Sequence, residues 1–206
     1  MSPMFFFFFA GVRGESTLEK LASLKPAFVK PHGTITAGNA SFLTDGASAV
    51  LIMSEKKARE LGYKPLAYLR DYTFVSQDPK NELLLGPAYA THKLLKRTGL
   101  SLSDIGVFEI HEAFAGQVLA NQAALGSDKF AQEKLGVSAK VGAIPEDKMN
   151  LWGGSLSIGH PFGATGCRLV TTCANRLIQE NQQFALLTAC AAGGQGHGMI
   201  VERYPQ

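Results

Sequence analysis

The sequence predicts an α/β domain in which a mixed, mostly parallel sheet of five strands carries helices on both faces. Three observations point there. Short apolar runs alternate with amphipathic helical stretches in the order β-α-β-α-β-α-β-β, the pattern of layered α/β domains. One late helix is small or apolar all round, which demands cover on every side. Glycine-rich turns follow the strands, and such folds hold their ligands at the carboxyl ends of strands.

Taken in order, Ser16 or Thr17 caps a short helix over Leu18 to Leu24, and Pro26 and Pro31 then impose an extended linker. Ala47 to Met53 is a continuous small and apolar run and reads as a strand buried on both faces. Ser54 starts a helix that ends at Gly62. Leu66 to Val75 alternates as a second strand, and Pro87 to Arg97 is an amphipathic helix closed by Gly99. Ile105 to Ile110 is a third strand with His111 at its carboxyl end. Ala113 to Leu125 is helical by spacing, and Asp128 to Leu135 extends that region. Ala164 to Leu177 is the telling helix: from Ala164 to Ala174, nearly three turns, it is small or apolar all round with Arg168 its one charge. Phe184 to Cys190 and a short Met199 to Glu202 supply the last strands.

With 206 residues, 46% apolar and 18% charged, the chain has material for one substantial core plus appendages. A net charge of +3 is too small to argue for nucleic acid, and aromatic and basic residues do not interleave as single-strand binders require. The slight basic excess does suit a phosphate-bearing ligand. Cys167, Cys173 and Cys190 show neither Cys-x-x-Cys spacing nor paired histidines, which argues against zinc or a disulfide framework and for a reducing compartment. Phe5 to Phe9 form an apolar run too short to span a bilayer, without a preceding positive charge and without the Arg- and Ser-rich amphipathicity of a transit peptide. Residues 1–16 therefore read as an atypical start.

Two segments carry chemistry. Gly153-Gly154-Ser155-Leu156-Ser157-Ile158-Gly159-His160-Pro161-Phe162-Gly163 and Cys190-Ala191-Ala192-Gly193-Gly194-Gln195-Gly196 each set one proton-transfer side chain among glycines, where a ligand can lie against the main chain. Taken singly, His160 reads as a turn residue and Cys190 as an inert strand end. His111 has its own plain alternative, satisfying the start of the helix after it.

Together with Thr36-Ala37-Gly38-Asn39-Ala40-Ser41, Asp45-Gly46-Ala47-Ser48-Ala49 and His111-Glu112-Ala113-Phe114-Ala115, these segments resemble the C-terminal half of a thiolase across residues 17–206. His111 in place of the family's usual Asn resembles the branch formed by the β-subunits of mitochondrial trifunctional complexes. The resemblance implies half of an α-β-α-β-α layered fold, with residues 17–40 a remnant of the loop region and 41–206 the C-terminal domain. It implies thiolytic cleavage of 3-ketoacyl-CoA in fatty-acid β-oxidation, with CoA as substrate and no cofactor, and a mitochondrial location. Partners implied are CoA thioesters, further copies of the chain and an α-subunit. His160 is then the base and an oxyanion donor, Cys190 the acid for the departing enolate, and His111 the donor at the first oxyanion site. The backbone of Ala192, where the family usually has Gly, serves the second oxyanion hole if its φ is negative. Ser41 contacts the pantetheine arm and Phe114 lines its tunnel. Trp152 and His197 are further pocket candidates by position. The family's nucleophile is another cysteine, and none of the three here lies in a matching motif. The competing reading is a non-catalytic module that keeps the fold and CoA binding.

Overall fold

The computed structural model describes residues 12–205, and the Phe5 to Phe9 run lies outside them. Four strands form one sheet: β1 (Ala67–Ser76), β2 (Ile105–Ile110), β3 (Phe184–Ala191) and β4 (Gln195–Arg203), in the order β1-β4-β3-β2. Only β2 and β3 run parallel, while β4 is antiparallel to both its neighbours. The sheet is mixed, as expected, but it has four strands instead of five and is mostly antiparallel.

The missing strand is Ala47 to Met53. It forms no ladder, and Leu51 and Ile52 are largely exposed. An apolar run becomes a buried strand only between neighbours that complete its hydrogen bonds, and the described residues bring none to it. Instead the segment runs over α7, where Ser48 Oγ donates to the Ala164 carbonyl at 2.6 Å.

The helices are α1 (Leu18–Ala22), α2 (Glu55–Glu60), α3 (Gly86–Thr98), α4 (Ala115–Leu125), α5 (Asp128–Phe130, continued by a π-helical turn over Ala131–Leu135), α6 (Ser155–Ile158) and α7 (Gly163–Gln179). Thr17 and Ser54 cap α1 and α2 by accepting from main-chain N–H groups. Gly99, at φ 71°, closes α3 in the left-handed region.

Strand alternation divides the core into two layers. Phe108, Ile110, Leu186 and Ile200 pack with Leu94 and Leu95 of α3 and Val118 and Leu125 of α4. Val107, Ala185, Leu187 and Val201 face Leu169, Cys173 and Leu177 of α7. Helices thus cover both sheet faces. β4 begins four residues before the expected Met199 because Gly196 and Gly198 let α3 lie against the sheet: a Cβ on Gly196 would sit 2.5 Å from the Gly86 Cα, and one on Gly198 2.8 Å from Leu94 Cδ1. On α7, the sheet side is buried, but Ala164, Cys167, Val170, Thr171 and Thr172 remain only half-buried.

Candidate active site

The parallel pair β2 and β3 ends at the site. The main-chain N–H of His111 extends the ladder to the Thr188 carbonyl at 2.8 Å, and Cys190 follows two residues further along β3. His111 is buried, and its Nδ1 meets Ser155 Oγ at 2.8 Å. The ring therefore does not serve the following helix, whose approach is closed by Gln117 Oε1 accepting from the Ala113 N–H.

Ser155 is placed by a carboxylate. Glu112 accepts from Asn150 Nδ2 at 2.5 Å and from the Leu156 N–H at 3.1 Å, while Asn150 also exchanges hydrogen bonds with both main-chain groups of Ile110. The second glycine of the first motif is needed for this: a Cβ on Gly154 would lie 2.1 Å from Glu112 Oε2.

His160 arrives from the other end of α6. Gly159 turns at φ 96°, and a Cβ there would lie 2.4 Å from Thr44 Cγ2. The His160 N–H donates to the Phe42 carbonyl at 3.3 Å, and its Nδ1 meets Thr165 Oγ1, in the first turn of α7, at 2.8 Å. Both histidines thus have Nδ1 fixed by a hydroxyl, which leaves Nε2 of each for a ligand. Their ring centroids are 4.1 Å apart. Phe162, a non-glycine residue at φ 33°, sets its exposed ring 4.9 Å from His160.

The environment favours neutral rings. Burial pulls His111 down to about 4, with the positive charges of His160 and Arg168 adding to it. Burial, followed by Arg168, also lowers His160. Burial has the opposite effect on a thiol and holds Cys190 up to about 11, so Cys190 is protonated at neutral pH. The Cys190 thiol takes no part in the hydrogen bonds that fix the two histidines.

The other expected residues lie around this pair. The Ser41 N–H donates to the Ala113 carbonyl at 2.9 Å, and Ala40 bridges to Phe114, so both candidate CoA contacts are stitched to the His111 segment. Phe114 packs edge-on against Phe28. Ala192 sits in the exposed β3–β4 turn, outside the left-handed region, which Gly193 and Gly194 occupy at φ 89° and 75°. His197 lies apart on β4 against Phe74, and Trp152 is exposed. An open cleft of about 660 Å³ adjoins the site, lined by Leu21, Leu24, Gly38, Phe42, Leu156 and Ser157 among others.

Sequence reasoning missed Glu112, Asn150, Ser155 and Thr165. Three of these lie inside the quoted motifs or one turn beyond His160, and the signal was their hydrogen-bonding side chains at positions where packing alone would take Ala or Val.

Family models match the thiolase C-terminal domain over residues 63–203 and the thiolase N-terminal domain over residues 10–56. The chain belongs to the thiolase family. The mitochondrial trifunctional enzyme subunit beta of Bos taurus is 65% identical over 196 residues, covering 95% of this chain and 41% of the bovine protein. Among solved structures, the Bacillus anthracis acetyl-CoA acetyltransferase superposes with a TM-score of 0.82 at 36% identity, covering 95% of this chain and 45% of that one. The human mitochondrial 3-ketoacyl-CoA thiolase in complex with CoA gives 0.79 at 34%, covering 96% and 45%. The chain spans less than half the length of these thiolases.

Proposed function

We propose that the chain supplies the C-terminal part of an acyl-CoA thiolase of fatty-acid β-oxidation, which cleaves 3-ketoacyl-CoA with CoA into acetyl-CoA and a shortened acyl-CoA. The observation that carries the reading is the neutral His111–His160 pair, with each Nδ1 held by a hydroxyl.

In this reading a cysteine thiol outside the three cysteines of this chain gives its proton to His160 Nε2. The thiolate then attacks the C3 carbonyl carbon. The bond between C2 and C3 breaks, its electron pair leaves as the acetyl-CoA enolate, and Cys190 protonates that carbon. The resulting Cys190 thiolate takes the proton of an incoming CoA thiol, whose sulfur attacks the acyl thioester; the departing thiolate of the nucleophile takes its proton back from His160 Nε2, which restores both cysteines and the neutral ring. A thiol near 11 suits this cycle: it is loaded with a proton at neutral pH, and once it has donated it is a strong base. His111 donates at the oxyanion of one half-reaction and the Ala192 N–H at the other. Ser41 and Phe114 contact the pantetheine arm.

The named relatives support further proposals: a mitochondrial location, and assembly with other copies and with an α-subunit. The test is a fusion in which the N-terminal half of the bovine relative precedes this chain. Thiolysis of a long-chain 3-ketoacyl-CoA is expected from the fusion and not from the 206-residue chain alone. A soluble, folded fusion that binds CoA without turnover would favour the non-catalytic module.

A further inference from the structure

Between β2 and α7 lies a buried polar layer that the thiolytic steps above do not use. Glu109 and His111 project from the same face of β2, two residues apart, and Thr165 and Arg168 share one face of α7, three residues apart. Arg176 is fully buried two turns further on. Its guanidinium donates to Glu109 Oε1 at 2.7 Å, to Glu180 Oε1 at 2.8 Å and Oε2 at 3.1 Å, and to the carbonyls of Phe108 and Lys148. It is amply neutralised.

Arg168 is not. Its Nη1 lies 3.9 Å from Glu109 Oε2, beyond hydrogen-bonding distance, and among the described residues Nε, Nη1 and Nη2 are all buried without an acceptor. Glu109, the nearest carboxylate, is already engaged by Arg176. A guanidinium is effectively always charged, so an under-compensated positive charge is fixed in the layer that holds the two rings, one turn along α7 from the Thr165 that binds His160. Buried cations left in this state are costly, and a plain packing role would be met by a Met or Leu of similar size.

We propose that Arg168 is a positioning residue for the histidine pair: its fixed charge keeps His160 and His111 uncharged, so that His160 meets the nucleophilic thiol as a base. The proposal rests on the reading of the pair as the thiolytic site. The titratable and charged groups on the elements around the pair are Arg168, Cys173 and Arg176 on α7, Glu109 on β2 with Glu112 just after it, and Cys190 on β3. Arg168 is the one cation among them without a hydrogen-bonded acceptor. Burial is the larger cause that disfavours charge on both rings, and the Arg168 charge acts in the same direction on each.

The test titrates the imidazole resonances of the 206-residue chain by NMR, against the unperturbed imidazole value of about 6.5. It reads the charge state without turnover, so it separates failure of this proposal from failure of the thiolase reading. In the native chain His160 and His111 are expected to titrate below the ordinary imidazole value. In Arg168→Met both midpoints should rise, by about half a pH unit or more, the scale of removing one nearby charge in a partly buried setting. Arg168→Lys, which keeps the charge, should hold them near the native values. A native His160 midpoint at or above the ordinary imidazole value would overturn the proposal. So would unchanged midpoints in a folded Arg168→Met chain. If Arg168→Met does not fold, Arg168→Gln, which removes the charge and keeps polar atoms, decides: raised midpoints support the charge, and unchanged midpoints in the folded chain refute it.

Discussion

Acidification from pH 7 to pH 5 should remove about 2 kcal/mol of stability through His111 alone. The ring is held near 4 in the folded chain, mainly by burial, against 6.5 for an unperturbed histidine. Between those values the unfolded chain binds the proton and the folded chain does not, so stability falls as the pH falls through this window. The linkage integral gives about 2 kcal/mol by pH 5 and about 3 kcal/mol by pH 4, where the folded ring begins to accept the proton and the loss levels off. Glu109 moves the other way: burial raises it to about 7, so the folded state binds its proton first and gains stability on acidification. The wild-type curve alone therefore mixes two opposing effects, and the difference between wild type and His111→Asn isolates one. Urea unfolding at pH 7, 6 and 5 is the assay. His111→Asn should lose about 2 kcal/mol less than wild type from pH 7 to pH 5. Parallel pH dependences for the two chains would refute the assignment of a buried, neutral His111.

Further outcomes follow from the same contacts. Gly154→Ala should destabilise the chain by about 1–3 kcal/mol, because its Cβ collides with Glu112, whereas Gly166→Ala, with open space around its Cβ inside α7, should stabilise it by about 0.5–1 kcal/mol; thermal unfolding of the pair checks both signs. Arg176→Met should cost about 3–5 kcal/mol by stranding the Glu109 carboxylate in the core, read by urea unfolding at pH 8, where that carboxylate is ionised. The half-covered side of α7 and the exposed Leu51 and Ile52 should make the isolated chain self-associate or bind the dye ANS; a dye-silent monomer at micromolar concentration by light scattering would contradict this.

Much of the fold was legible because its elements are amphipathic or capped. α2, α3 and α7 fall within two residues of their expected bounds, since Ser54, Gly99 and the glycine-rich turn before α7 mark their ends. Strand direction was not legible, because an apolar run reads the same in a parallel or an antiparallel ladder. Ala47 to Met53 misled for a related reason: its composition asks for neighbours on both sides, but composition does not supply them. Glycines hid the start of β4, where Gly196 and Gly198 look like a turn and are instead the places where α3 touches the sheet. In the site, His160 stood out because it sits among glycines, and His111 because it ends a strand and replaces the family's usual Asn. Glu112, Asn150, Ser155 and Thr165 did not, because a hydrogen-bonded partner is visible only once two distant segments meet.

The division of labour between His160 and Cys190 is the central claim, and the two half-reactions measured separately test it most directly. In the fusion with the bovine N-terminal half, rapid quenching resolves formation of the acyl-enzyme from its thiolysis by CoA. His160→Ala should slow acylation, because the nucleophilic thiol keeps its proton. Cys190→Ala should slow both halves, because neither the enolate nor the incoming CoA finds its proton-transfer partner. Identical defects in the two variants, or a Cys190→Ala enzyme with normal CoA-dependent thiolysis, would contradict the account.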